Sequence, residues 1–488
     1  MSELRSRRLR PLRIRRAGSR VAAVRSGLVA LYLGGTWGTA PTFAVTHDDV
    51  APIGTQPFTN RRNPPSYRKL SDAEFARYDL GMAVFNTQFV PAGTPNAGRR
   101  AGVGPLFNSS SCDSCHNNGA RGRGPTEDGP APSPLVMQLA TMPTRNPTDP
   151  EGDPVYGRVL NTISLEGVPP EGVAMIRYEE ISGHYPDGTT WSLRAPHYTL
   201  TNLRYGPLSP QTVIKPRLAP ALFGVGLLDA ASVDRDPGAT AHGATFRSLT
   251  SPSVTPPGET APGLGSAEHA PQEPPAHGRF GWQASALSVR DQTARAFARE
   301  MGLTSADMRS DDCTKAETAC QQQPSGGSPE VSDDIFNAVV SFQHWLAVPA
   351  SPTPHTIPDR DANTFAKLGC VGCHQPQLQV ALADDVGKDV PAVIAPYTDL
   401  RLHDLGSRLA DENVAGKKVT SKWRTAPLWG LGYRMSLERF PTFLHDGRAR
   451  SAEEAILWHD GEAAGARTRF EQLPASERNA FLHWLETL

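Results

Sequence analysis

The sequence predicts a mainly α-helical fold with many loops and few short strands. Helical periodicity recurs in several segments, whereas residues 155–220 contain only short apolar runs bounded by turns. The 45 prolines and 44 glycines among 488 residues favour many loops and exclude a coiled coil or a helical solenoid. A chain of this length exceeds one ordinary hydrophobic core, so about three units of roughly 100 to 200 residues are expected.

The helices are predicted from caps and periodicity. The segment from Ser71 to Glu74 reads as a capping box ahead of apolar residues at helical spacing, so a helix should begin there. Periodicity predicts further helices over residues 288–301, 332–346 and 475–488. A second capping box, Ser451 to Glu454, predicts a helix that Gly461 ends.

The first 44 residues are expected to be a secretory signal peptide. Residues 1–25 carry nine arginines against Glu3, an apolar stretch covers residues 27–38, and small residues lead to cleavage after Ala44. A retained anchor or a basic nucleic-acid arm are the alternative interpretations. The remaining sequence has no run of about 18 apolar residues, so no membrane span is expected in the mature chain.

Charge indicates the kind of partner. Removal of residues 1–44 changes the count of basic minus acidic residues from 49 minus 50 to 40 minus 49, so the mature chain carries about −9. A surface of that charge favours a basic partner protein and repels nucleic acid.

The six cysteines fall into three local pairs, and two of these read C-x-x-C-H. The motifs are Cys112-Asp113-Ser114-Cys115-His116 and Cys370-Val371-Gly372-Cys373-His374. This is the attachment signature of c-type haem, in which two thiols one helical turn apart bond to the haem vinyl groups and the following histidine becomes the proximal iron ligand. The sequence therefore predicts two cytochrome c-like haem lobes with two covalently bound haem c groups.

Other uses of these cysteines fit less well. A four-cysteine zinc knuckle does not need a histidine after each pair, and a thioredoxin-like redox pair should follow a strand and open a βαβ unit. Haem attachment takes place outside the bacterial cytoplasmic membrane, which predicts a periplasmic protein. In that oxidising compartment the third pair, Cys313 and Cys320, is expected to form a disulfide.

Several further motifs carry a family resemblance. They are Gly104-Pro-Leu-Phe107, Gly278-Arg-Phe-Gly-Trp282, Pro396-Tyr-Thr-Asp399, Leu402-His-Asp-Leu-Gly406, Trp423-Arg-Thr-Ala-Pro-Leu-Trp429, His445-Asp-Gly-Arg-Ala449 and Glu454-Ala-Ile-Leu-Trp-His459. The chain resembles the di-haem oxidoreductase, or thiol oxidoreductase-like, family, which is related to the bacterial di-haem cytochrome c peroxidases. The resemblance covers about residues 70–488 and implies two haem lobes and a peroxidase-like activity.

His459 is expected to be the sixth iron ligand of the C-terminal haem. In the helix predicted after Ser451 it shares a face with Ala452, Ala455 and Ile456, which would hold an imidazole in an apolar wall. The resemblance implies the same position, because the peroxidase relatives carry the sixth ligand, a Met or a Tyr, fourteen positions after the histidine that corresponds to His445, and this position is His459 here. The alternative is a hydrogen-bonded core histidine.

The first haem has no comparable sixth ligand in the sequence. Peroxide chemistry needs an open iron position with an acid–base group and a cation nearby. Glu171 and Arg194 are the candidates for these roles, against the alternatives of a solvated loop acid and a structural ion pair. His184 and His197 rank below them.

The predicted organisation is an N-terminal haem lobe over residues 45–233, a Pro-rich insertion over 234–278, a helical connector with the disulfide over 279–354, and a C-terminal haem lobe over 355–488. The predicted function is reduction of hydrogen peroxide with electrons from a small, basic donor protein. A non-enzymatic electron carrier and an oxidase of a protein or organic substrate are the alternatives.

Overall fold

The structure is a computed structural model. It describes residues 55–60, 63–142, 150–231, 278–350, 359–383 and 389–488. The predicted signal peptide and residues 234–277 of the predicted insertion lie outside these ranges. Helices account for 29% of the described residues and strands for 23%, and several antiparallel sheets are present. The prediction of a mainly helical chain with few short strands is therefore wrong.

The helices in the described ranges are short apart from α1, α4, α6 and α11. Their bounds are α1 Asp72–Phe85, α2 Cys112–Cys115, α3 Val225–Asp229, α4 Val289–Glu300, α5 Thr318–Gln321, α6 Asp333–Trp345, α7 Asp359–Leu368, α8 Leu431–Leu437, α9 Ala452–Trp458, α10 Ala464–Glu471 and α11 Ala475–Leu485. The capping box that begins α1 is confirmed, because Ser71 Oγ accepts from Glu74 N–H while the Glu74 carboxylate accepts from Ser71 N–H.

The strands are numbered along the chain. Their bounds are β1 Thr55–Gln56, β2 Leu106–Phe107, β3 Gly129–Pro130, β4 Leu135–Thr141, β5 Ile163–Ser164, β6 Val173–His184, β7 Thr190–Thr201, β8 Thr212–Leu218, β9 Val348–Pro349, β10 Leu378–Ala383, β11 Asp389–Ile394, β12 Leu402–Asp404, β13 Asp411–Asn413, β14 Lys418–Thr420 and β15 Lys422–Arg424.

A long hairpin explains much of the error in fold class. Strands β6 and β7 pair in register over 12 residues each, around a turn in which Gly188 has φ +83°. The Asp187-Gly188 turn is visible in the sequence, but the strand length is not. The distal part of β6, residues 177–184, is mostly polar and exposed, so the alternation that indicates a half-buried strand is missing there.

A four-stranded antiparallel sheet, in the order β14-β13-β8-β4, joins distant parts of the chain. Strand β13, from the predicted C-terminal lobe, pairs with β8 from the predicted N-terminal lobe. Side chains alternate across β4, so Met137 and Leu139 enter a hydrophobic core while Gln138 points to the opposite face. That opposite face bears on the functional site.

Two aromatic cores hold the helices that surround the site. In the first, α1 packs on α6 so closely that a Cβ at Gly81 would overlap the carbonyl oxygen of Ala338. The second is built around Trp458, Phe481 and Phe470 from α9, α11 and α10. Within the described ranges, none of the helices combines the length and apolar character that a membrane crossing requires.

Candidate functional site

A cavity of about 750 Å³ brings the two C-x-x-C-H motifs together. All six motif residues that the sequence assigns to haem line this cavity, and so does His459: Cys112, Cys115, His116, Cys370, Cys373 and His374. Residues that are more than 200 positions apart in the sequence therefore share one chamber.

The first motif is a single helical turn. Ser111 begins α2 by accepting a hydrogen bond from the N–H of Ser114, and His116 ends the helix. His116 Nδ1 donates to the carbonyl oxygen of Pro220 at 2.8 Å, which fixes the ring and leaves Nε2 as the atom able to bind iron. Burial lowers the pKa of His116 to about 4, so the ring is neutral, as an iron ligand must be.

The second motif repeats this arrangement. Residues Cys370–Gly372 form a turn of 3-10 helix, and His374 Nδ1 donates to the carbonyl oxygen of Tyr397 at 3.0 Å. Burial, with a smaller contribution from the nearby His459, lowers the pKa of His374 to about 4. Each proximal candidate thus has one ring nitrogen held by a backbone carbonyl and the other available to a metal.

His459 follows directly after α9, which ends at Trp458. Its Nδ1 donates to the carbonyl oxygen of Ala455 at 2.7 Å, and burial lowers its pKa. The capping box predicted ahead of it forms only in part. Ser451 Oγ accepts from Glu454 N–H at 3.0 Å, but the Glu454 carboxylate turns to the N–H groups of Arg450 and Arg194.

Cys313 and Cys320 are joined by a disulfide, whereas the four motif cysteines are in no disulfide. Burial raises the pKa of Cys112 to about 12 and that of Cys370 to about 11. Across the described ranges, no three or more His, Cys, Asp or Glu side chains meet as they would around a metal ion. The cysteines thus do not converge as a zinc knuckle requires.

The cavity wall has a large excess of cations. Its basic side chains are Arg121, Arg158, Lys215, Arg217, Arg295, Arg299, Arg424, Arg434, Arg467 and Arg469, whereas its only acidic ones are Glu300 and Glu462. Arg121 lies over the Trp282 ring, and its buried Nε lacks a hydrogen-bond partner in the described structure. Because haem carries two carboxylates, this wall, the paired thiols and the oriented imidazoles fit two haem groups.

Glu171 lies away from the cavity wall. Its carboxylate is fully buried and accepts from the N–H of Asn161 at 2.6 Å and from the Asn161 amide at 3.2 Å. Burial and the neighbouring Glu317 raise the pKa of Glu171 well above its usual value. It cannot reach a group in the cavity directly.

Arg194 is also held elsewhere. Its guanidinium donates to the carbonyl oxygens of Pro125, Thr126, Gly447 and Arg448, and it stacks on the Tyr178 ring with the guanidinium carbon 3.9 Å from the centroid. These bonds join the β6–β7 hairpin to the C-terminal half of the chain. The side chains of His184 and His197 are exposed on the same hairpin.

Two cavity residues were missed by the sequence reasoning. His445 stacks on Trp423 with ring centroids 3.7 Å apart, and burial lowers its pKa to about 3. The His-Asp-Gly-Arg motif pointed to His445, but only as a reference for His459. Glu300, the last residue of α4, accepts from the Asn108 amide at 3.3 Å, and no sequence signal marks it.

Comparison with known proteins gives a family match. A family sequence model described as "Di-haem oxidoreductase, putative peroxidase" matches residues 54–131 and 264–488. A comparison with curated proteins found no match. A solved structure of Kuenenia stuttgartiensis hydrazine synthase, pressurised with 20 bar xenon, aligns over 92% of this chain and 100% of that chain, at 12% identity. The TM-score of this alignment is 0.32.

The family match covers most of the chain and includes both C-x-x-C-H motifs, His445 and His459. It confirms the resemblance found in the sequence motifs, while Glu171 and Arg194 fall in the unmatched stretch, residues 132–263. The chain is a member of the di-haem oxidoreductase family.

Proposed function

We propose that this protein is a periplasmic di-haem cytochrome that reduces hydrogen peroxide with electrons from a donor protein. The convergence of both C-x-x-C-H motifs and His459 on one cavity carries this proposal. In it, Cys112 with Cys115 and Cys370 with Cys373 hold one haem c each. His116 and His374 are the proximal ligands, and His459 is the sixth ligand of the C-terminal haem.

When bound, the haem groups supply one-electron redox chemistry, and two of them suit a reaction that consumes two electrons. Peroxide reduction takes two electrons and two protons and yields two water molecules. The chain must therefore provide protons inside a buried site.

Glu300 is the side chain best placed to hold one of these protons. It lines the cavity close enough to Cys115 to raise the pKa of that thiol. Burial raises the pKa of Glu300 to about 7, so its carboxyl group exchanges a proton near neutral pH. Glu300 thus takes the role that sequence reasoning gave to Glu171.

The haem assignment is tested by counting covalent haem with a pyridine haemochrome assay on denatured protein. Wild type should carry two haems, and Cys112→Ala with Cys115→Ala should carry one, as should Cys370→Ala with Cys373→Ala. Either double variant retaining two haems would refute the assignment.

The reaction is tested with purified holoprotein and a reduced donor. Peroxide consumption should fall by about a hundredfold in Glu300→Gln, as is typical when an acid–base group is lost. Glu179→Gln, an exposed glutamate on β6, should keep the wild-type rate. A six-coordinate, low-spin spectrum for both haems with no peroxide turnover would instead favour the electron carrier. Turnover of an organic or protein substrate without peroxide consumption would favour the oxidase.

The periplasmic location rests on the export-type N-terminus and on the C-x-x-C-H motifs, and the Cys313–Cys320 disulfide supports it. Fractionation of expressing cells should release the haem protein with the periplasm.

A further inference from the structure

We propose that the cavity-facing side of the β4–β8 pair is a carboxylate-binding site formed by Lys215 and Gln138. The two residues are direct cross-strand partners, and both line the cavity. They lie in residues 132–263, which the family model does not match. The proposal rests on the proposed function only where haem is the source of the carboxylate.

The strand pairing fixes where these side chains point. The neighbours Met137, Leu139 and Ile214 belong to a hydrophobic core on the opposite face of the sheet, so the alternation of side chains turns Gln138 and Lys215 toward the cavity. Two strands in an antiparallel ladder hold such a pair about 5 Å apart at Cβ. The paired strands therefore hold the Gln138 amide and the Lys215 ammonium toward the same part of the cavity.

Neither side chain has a protein partner. Within the described ranges, the Lys215 ammonium and the Gln138 amide make no hydrogen bond or ion pair, whereas most polar groups shielded from solvent have a partner. Burial, with repulsion from Arg217, lowers the pKa of Lys215 to about 8, whereas Asp411 acts in the opposite direction. Both side chains are half-buried, so the ammonium is a partly desolvated donor on the cavity wall.

The one nearby carboxylate is already engaged. Asp411 accepts two hydrogen bonds from Arg217, at 2.8 and 2.6 Å, and a third from the Gln283 amide at 3.0 Å. Lys215 is therefore one of ten basic side chains on a wall whose described residues include two acidic ones, and it has no carboxylate partner of its own. This arrangement fits an anion that accepts hydrogen bonds from both an ammonium and an amide.

A carboxylate meets these requirements. It has two acceptor oxygens, one for the Lys215 ammonium and one for the Gln138 amide, and its single charge matches a single unpaired lysine. Two sources could deliver it: a propionate side chain of bound haem, or a small carboxylate that enters from solution.

The experiment uses the holoprotein and four variants. Lys215→Met removes the charge, Lys215→Arg retains it, and Gln138→Leu removes the second donor without touching the lysine. Lys418→Met is the control, because it removes a lysine from β14 of the same sheet that is exposed and paired with Glu412. Binding of sodium propionate is measured by calorimetry at constant ionic strength, and both haem reduction potentials are measured by spectroelectrochemistry.

A free carboxylate is supported if wild type binds sodium propionate, Lys215→Met weakens this binding by about tenfold or more, and Lys215→Arg and Lys418→Met do not. A haem propionate is supported if added propionate does not bind and Lys215→Met lowers one haem potential while Lys418→Met changes neither. Gln138→Leu should change the same measurement in the same direction.

The proposal is overturned if Lys215→Met and Gln138→Leu match Lys418→Met in both binding and potentials. A haem count on the same samples separates this outcome from failure of the proposed function. Protein without covalent haem would refute the haem assignment, and the calorimetric measurement would still decide whether Lys215 and Gln138 bind a carboxylate.

Discussion

Asn161 holds Glu171 with two hydrogen bonds, one from its backbone N–H at 2.6 Å and one from its side-chain amide at 3.2 Å. The side-chain oxygen Oδ1 of Asn161 accepts from the Asn108 amide at 3.3 Å, and that amide also donates to Glu300 at 3.3 Å. A continuous chain of polar side chains therefore runs from the buried Glu171 to the cavity wall. Glu171 also contacts Glu317, so this series of polar side chains ends in two carboxyl groups. Ionisation of both at once is unfavourable because their negative charges repel each other.

The first prediction concerns stability against pH. The unfolded chain releases the Glu171 proton near pH 4.5, but the folded protein retains it to higher pH. The folded state therefore binds more protons, and the free energy of unfolding should decrease as pH rises above 4.5, by up to about 1.4 kcal/mol per pH unit. Glu171→Gln should flatten this decrease in urea titrations between about pH 5 and 8.

Glu179→Gln is the control for this change, because Glu179 is exposed on the same strand and should keep the wild-type slope. Equal slopes for wild type and Glu171→Gln would show that Glu171 does not carry the proton.

The second prediction tests His459. His459→Met should keep the C-terminal haem low-spin but raise its reduction potential, because a thioether stabilises ferrous iron better than imidazole does. His459→Ala should produce a high-spin band in the ferric spectrum. The cap of α9, between Ser451 and Glu454, does not involve position 459, so the helix should survive both changes. Spectra and potentials identical to wild type in His459→Ala would make His459 a core histidine.

The third prediction concerns the donor protein. If residues 1–44 are removed, the mature chain carries about −9, and electron transfer from a basic donor should slow as salt is added. Stopped-flow rates should fall several-fold between about 10 mM and 150 mM salt, over which the Debye length shortens from about 30 to 8 Å. Rates independent of ionic strength would exclude electrostatic docking.

The fourth prediction concerns the buried ion pair between Arg217 and Asp411. Arg217→Met leaves the Asp411 carboxylate buried without its main partner, so unfolding free energy should fall by about 3 to 5 kcal/mol. Lys418→Met breaks an exposed pair in the same sheet and should cost less than about 1 kcal/mol. Denaturant titrations measure both values. Equal, small losses would mean that the cavity admits enough water to solvate Asp411.

The sequence predicted those parts of the site that depend on local spacing. Cys112 to His116 and Cys370 to His374 are each one turn of chain, so their geometry follows from their spacing alone. The capping box at Ser71 was predicted correctly on the same basis. His459 lies on the cavity wall directly after α9 and not on the helix face that was predicted, and its role as an iron ligand stays a prediction.

The remaining features depend on contacts between distant residues. Glu171 was chosen as a cavity acid, but its position is set by Asn161 and by Glu317 from a different part of the chain. Glu300 reaches the cavity only because α4 packs beside the first motif. The sheet was missed because β13 joins β8 across nearly 200 residues, a pairing with no local signal.

Arg279 connects the residues on the two sides of the segment between Ala231 and Gly278. Its guanidinium donates to the carbonyl oxygen of Ala231 at 2.6 Å, and its own backbone follows Gly278 directly. Ala231 and Gly278 therefore both lie within reach of one arginine side chain, so a shorter connection can join them. Replacing residues 234–275 with a six-residue Gly-Ser bridge shortens the connection between Ala231 and Gly278 from 46 to 10 residues, so the unfolding free energy should rise by about 1.3 kcal/mol with the haem content unchanged.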